Sequence, residues 1–156
     1  MLHFIKGDAT NPSVEGNKII VHCCNDAGAW GAGFVLALSN KWPKTKNAYQ
    51  TLFRKMPKVE LGSVQFVSVE NDIVVANLIG QKGFGGVSSK DFPFIRYDAI
   101  KIGLDLVASK AMMNDATVHM PRIGCGLAGG MWSMIEPIIN ETLISNKIDT
   151  YVYDLP

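Results

Sequence analysis

The stretch VHCCNDAGAWGAGF, residues 21–34, joins an apolar β-branched run to an apolar helical pattern through a glycine-rich turn. It comes close to two phosphate-binding signatures and meets neither. A cysteine loop for phosphate needs His-Cys, five residues and then an arginine whose planar fork holds the anion. Counted from Cys23, that place is Ala29. A dinucleotide fingerprint needs a third glycine where helix packs on strand. After Gly31 and Gly33, that place is Leu36. What the turn offers a ligand is therefore backbone N–H groups rather than an arginine clamp.

The rest of the chain bounds the reading. Its 156 residues, 47% hydrophobic and 19% charged, suit one compact domain with a substantial core. The net charge is +1 and the basic residues are scattered, so no nucleic-acid footprint is visible and small ligands are the expected partners of a monomer. The apolar runs are far shorter than a bilayer span, and the start MLHFIKGDAT carries a charge where a signal peptide has its apolar centre. A soluble, cytoplasmic protein is the expectation. Cys23, Cys24 and Cys125 suit reduced thiols better than a disulfide framework, and their spacing forms no zinc site.

Short β-branched runs recur at 2–6, 18–23, 63–69, 72–79, 116–121 and 149–153. The third and fourth are close enough to form a hairpin, which predicts a mixed sheet. Phe34, Leu38 and Trp42 at i, i+4, i+8, and Ile95, Ala99, Ile102 and Leu106 at i, i+4, i+7, i+11, predict amphipathic helices covering it. The fold class is α/β, three layers of helix, sheet and helix. Pro137 lies inside the last helical pattern, from about Trp132 to Ile144, and predicts a late start or a kink.

Of the 15 glycines, most fall in three clusters, each after an apolar strand: Gly28, Gly31, Gly33; Gly80, Gly83, Gly85, Gly86; and Gly124, Gly126, Gly129, Gly130. In open α/β sheets ligands bind outside the carboxyl ends of the strands. If those strands are parallel, three loops converge on one rim, where main-chain N–H groups can face phosphate oxygens.

GDAT after the first strand, HCCNDAGAWGAGF after the second and MPRIGCGLAGGMW after the fifth resemble, in order and spacing, the ligand segments of macrodomains, which bind ADP-ribose. The resemblance covers essentially the whole chain, 1–156. The segment IGQKGFGGVSSK looks most like the branch with the ADP-ribose 1″-phosphate phosphatase and the terminal ADP-ribose glycohydrolase. It implies that Asp8 accepts a hydrogen bond from the adenine amino group, with Ala9 beside it. Asn25, Trp30, Gly31, Ala32 and Gly33 match the segment around the distal ribose and a phosphate. Gly124, Cys125, Gly126 and Leu127 match the diphosphate loop, acting through main-chain N–H groups. Tyr153, placed just past the last strand, is a further candidate against adenine or a packing residue.

The activity this implies is a metal-independent, cofactor-free hydrolase, foremost a phosphatase acting on ADP-ribose 1″-phosphate. The alternatives are a non-catalytic ADP-ribose reader and a glycohydrolase that removes ADP-ribose from proteins. The glycohydrolases of this branch look to need a carboxylate after GCGL paired with a lysine; here that place is Ala128, with Lys82 near the lysine's position. For the phosphatase, Asn25 would orient water or ribose, and His22 or Asp26 would move the proton. Asp26 has a loop-capping role as its other reading. His22, placed at the rim, has a nitrogen that titrates near neutral pH. His3 and His119 lie in strand patterns and read as structural. Residues 81–89, with Phe84, are a candidate lid.

Overall fold

The computed structural model describes residues 1–83 and 94–156. Most of the predicted lid, including Phe84, lies outside the described residues. The chain runs β1 (Leu2–Lys6), β2 (Lys18–Asn25), α1 (Phe34–Lys41), α2 (Pro43–Lys55), β3 (Val64–Glu70), β4 (Ile73–Gln81), α3 (Tyr97–Asn114), β5 (Thr117–Met120), α4 (Trp132–Thr142) and β6 (Thr150–Asp154). The strands form one six-stranded sheet in the order β1-β6-β5-β2-β4-β3. Its pairings are parallel except for the β3–β4 hairpin, so the sheet is mixed as the spacing predicts.

Alternation along the central strand builds two cores. In β2, Ile19 and Val21 join Val118, Met120 and Val152 beneath Ile100 and Leu104 of α3 and Ile135 and Ile139 of α4. Ile20 and Cys24 face the other way, with Val75 and Ile79, toward Leu38 of α1 and Tyr49 of α2. Because both faces of β2 are covered, its sequence is a continuous apolar run rather than a half-polar one.

One helical expectation changes, and for the last helix the late start is not the alternative taken. The α3 stripe through Ile102 and Leu106 is not the buried one: these side chains are 54% and 45% exposed. The buried face is instead Ala99, Ile100, Gly103, Leu104, Val107, Ala108 and Ala111. Apolar residues on several sides leave the periodicity ambiguous, and close approach decides it. A Cβ on Gly103 would stand 2.4 Å from Leu78 Cγ, so the absence of a side chain there lets α3 settle onto β4. In α4, Pro137 delays nothing; the helix starts at Trp132 and continues through it. Helix α2 begins with Pro43 at its first turn, where a missing N–H leaves no bond unmade.

Candidate functional site

Strands β5, β2 and β4 are adjacent and parallel, so the three glycine-bearing segments leave the sheet at one rim. Between the first and third lies a cleft of about 320 Å³, walled by 32–35 on one side and 121–126 on the other, with His22, Cys23 and Gln81 at its base. Gly33 (φ 80°) and Gly126 (φ 75°) both hold left-handed backbone, and a Cβ on either would meet no protein atom within 4 Å. Their open sides leave room for a ligand against bare main chain.

Asn25 and Asp26 fix the first loop internally. Asn25 Oδ1 accepts the N–H groups of Ala27 (3.0 Å) and Ala29 (3.1 Å), and its Nδ2 donates to the Ala29 carbonyl (2.7 Å). The Tyr49 hydroxyl lies 2.6 Å from the Asn25 carbonyl oxygen and 2.9 Å from Oδ1. Asp26 Oδ1 accepts the Gly83 N–H at 2.9 Å and its own N–H donates to the Gln81 carbonyl at 3.0 Å, tying the loop to the end of β4. The capping role of Asp26 is thus the one the geometry displays.

Three expected site residues sit differently from their sequence positions. His22 does not end its strand: β2 continues to Asn25, and His22 is 2% exposed. Its Nε2 lies 2.5 Å from Asn77 Oδ1, Asn77 Nδ2 donates to Gln65 Oε1 at 3.1 Å, and Gln65 Nε2 donates to the Ala48 carbonyl at 3.0 Å. That chain of bonds makes Nε2 the protonated nitrogen, with Asn77 as its acceptor. Burial lowers the His22 pKa to about 4, opposed by the Asn77 bond, so the ring is neutral at pH 7 and a poor proton donor. Trp30 is 6% exposed, its ring edge-on to His22 (5.5 Å) and tilted on Tyr49 (5.3 Å), and its Nε1 has no partner among the described residues. Its ring packs under the loop. Tyr153 lies within β6, 8% exposed, with its hydroxyl 2.8 Å from His119 Nδ1; it packs in the interior rather than standing past the strand.

The glycine-rich third loop holds Cys125 half-buried, with burial pushing its pKa up while Arg122 pulls it down. Burial also pushes the Cys23 thiol up to about 12. Neither is an activated thiolate. Leu127 belongs to a 3-10 turn at Gly126–Ala128, and Ala128 is buried. No group of His, Cys, Asp and Glu among the described residues has the arrangement of a metal site.

Asp8 and Ala9 lie outside the cleft wall, in a neighbouring turn. Asp8 Oδ1 accepts the Thr10 N–H and hydroxyl, both at 2.8 Å, and Lys41 Nζ reaches the Thr10 carbonyl from the end of α1 at 2.5 Å. Asp8 is exposed and among the described residues its Oδ2 carries no hydrogen bond, so one oxygen builds the turn while the other makes no bond within it. Arg122, in the cleft wall, has no counterpart among the expected site residues. Its partner Asp154 is 32 residues away, a pairing that only strand order creates.

No family model matches the chain. A macrodomain protein from Streptomyces coelicolor is 46% identical, with a TM-score of 0.86 and 100% of each chain covered. An ADP-ribose 1″-phosphate phosphatase from Candida glabrata is 26% identical over 179 residues, covering 99% of this chain and 98% of that protein. The chromodomain-helicase-DNA-binding protein 1-like of Mus musculus is 29% identical over 165 residues, covering 99% of this chain. The chain spans only 18% of that relative's length, and 15% of its Danio rerio counterpart's.

Proposed function

We propose that this chain, which belongs to the macrodomain family, binds ADP-ribose across the rim of β5, β2 and β4 and hydrolyses the phosphomonoester of ADP-ribose 1″-phosphate. The observation that carries the reading is the cleft between 32–35 and 121–126, with open, positive-φ glycines at Gly33 and Gly126 on its two sides. A match along nearly the full length of a yeast ADP-ribose 1″-phosphate phosphatase supports the same chemistry. In this reading Asp8 Oδ2 accepts the adenine amino group beside Ala9. The backbone of 124–127 holds the diphosphate, and that of 30–33 holds the distal ribose and terminal phosphate.

Water attacks phosphorus, the bond from phosphorus to the C1″ oxygen breaks, and ADP-ribose and inorganic phosphate leave. Main-chain N–H groups stabilise the charge on the equatorial oxygens. His22, neutral and tied to Asn77, orients the cleft floor instead of moving the proton. The leaving oxygen then takes its proton from solvent, which makes turnover slow. Phosphate release from ADP-ribose 1″-phosphate, unchanged by EDTA, is the expected result. Protein that binds ADP-ribose yet releases neither phosphate nor, from modified protein, ADP-ribose would be a reader. That second reading draws support from Asn25 and Asp26, whose side chains are committed to loop bonds.

Binding itself should raise Tm, since a ligand selective for the folded state adds about 2.7 kcal/mol at a hundredfold excess over Kd. Asp8→Ala should weaken ADP-ribose by roughly 1–3 kcal/mol, the value of a hydrogen bond to a charged acceptor with some loss of the turn. Unchanged affinity by calorimetry would remove Asp8 from the adenine site.

A further inference from the structure

Asp154, the last residue of β6, holds two ligand-facing segments at once. Its carbonyl accepts the N–H of Gly7, the residue before Asp8, at 2.8 Å. Its carboxylate accepts Arg122 Nε at 2.7 Å and Nη2 at 2.8 Å, at the start of the third loop. Arg122 is the one charged side chain among the described residues lining the cleft. Its guanidinium also lies over two rings, 4.8 Å from the centre of Trp132 and 5.3 Å from that of Phe4. A planar fork bonded at two nitrogens and covered by aromatic faces has little freedom to turn.

We infer that the Arg122–Asp154 pair is a positioning element that sets the spacing between the Asp8 turn and the 121–126 loop, and so selects for ligands long enough to engage both. The inference rests on the proposed ADP-ribose reading. A ligand that spans two subsites gains affinity through the effective concentration of its second half at the second subsite. That gain depends on a fixed gap. A fragment that occupies the turn alone draws nothing from it.

The test compares ADP-ribose with AMP on Asp154→Asn, Arg122→Gln and the double variant, by calorimetry for ADP-ribose and NMR titration for AMP, with Tm recorded for each. Asp154→Asn keeps the main-chain bond to Gly7 and the side chain's shape while removing the carboxylate's charge, and Arg122→Gln removes the cation. Expected is a loss of ADP-ribose affinity of roughly fivefold or more, with AMP changed by less than about twofold. The double variant should be no worse than the worse single, as for two groups acting as a unit. If the ratio of the two affinities moves by less than about threefold in Asp154→Asn, whether because neither ligand weakens or because both weaken together, the pair is an ordinary surface ion pair and the inference is overturned. Wild-type protein that fails to bind ADP-ribose is a separate outcome, which overturns the functional reading and takes the inference with it.

Discussion

Gly130→Ala is expected to weaken ADP-ribose binding a hundredfold or more, about 2.7 kcal/mol, although Gly130 itself is not among the residues proposed to touch the ligand. The third loop closes on itself: the Gly130 N–H donates to the Gly124 carbonyl at 2.7 Å, and Cys125 and Gly130 form an isolated bridge. A Cβ on Gly130 would lie 2.2 Å from the Gly124 carbonyl oxygen and 2.9 Å from its carbon. Both are backbone atoms, so no side chain can swing aside, and the two segments must separate. The closing bond is lost and the N–H groups of Gly124, Cys125 and Gly126 shift together. Each main-chain N–H bond lost to a charged diphosphate costs roughly 1.5–3 kcal/mol, so losing two of the three is a hundredfold or more. Gly16→Ala is the control for backbone strain alone. Gly16 also has a positive φ, 87°, but lies away from the cleft with nothing within 4 Å of its would-be Cβ. It should lower stability by roughly 1 kcal/mol and leave affinity unchanged. Wild-type affinity in Gly130→Ala, measured by calorimetry, would mean that the loop's closure does not set the site.

The contrast between Gly130 and Asp26 shows which parts of the site are legible in sequence. Glycine clusters after apolar runs point to the rim because strand identity and alternation are local properties, readable within a few residues. The same locality makes the β3–β4 hairpin readable, and its antiparallel register follows. What a particular glycine does is set by a contact across a loop, and only the fold reveals that Gly130 faces Gly124. His22 and Asn77 are likewise neighbours only through register, on strands β2 and β4 that stand 55 residues apart in sequence at that point, while Asn77 meets Gln65 across the local hairpin. No spacing rule joins His22 to Asn77. Arg122 and Asp154 meet because β5 and β6 are adjacent in the sheet. The α3 face fails for the opposite reason: its apolar residues are so numerous that periodicity admits more than one buried side, and the missing side chain of Gly103 chooses between them.

Acid is expected to destabilise this protein steeply between pH 6.5 and 4, above the window in which its paired carboxylates Asp72 and Asp154 titrate. His22 and His119 are 2% and 0% exposed, and burial lowers the pKa of each to about 4 from an ordinary value near 6.5. Around His22 stand Asn77, Cys24, Trp30 and Phe34, none of them an anion that could stabilise an imidazolium. His119 bonds Thr117 and Tyr153 and stacks on Tyr151, while the ammonium of Lys18 opposes its protonation further. Between pH 6.5 and 4 the unfolded chain therefore binds protons that the folded chain refuses. Each histidine's contribution is fully present above pH 6.5 and is lost as the pH falls to about 4. It amounts to roughly 3 kcal/mol per histidine. Together that is comparable with the whole stability of a domain of this size, about 5–15 kcal/mol. The pairs of Asp72 with Lys18 and Asp154 with Arg122, whose carboxyl pKa values are held low by those cations, release their share only in a lower window. Urea midpoints measured from pH 7.5 to 4 should fall steeply over the upper window, by nearly two protons' worth of slope. His119→Gln, which can keep hydrogen bonds to Thr117 and Tyr153, should flatten that slope by about one proton, roughly 1.4 kcal/mol per pH unit. His22→Gln should do the same independently, since the two rings share no bonding partner. A slope between pH 6 and 4.5 that neither variant changes would show that the histidines are already charged in the folded protein, and that their burial is not what sets its acid limit.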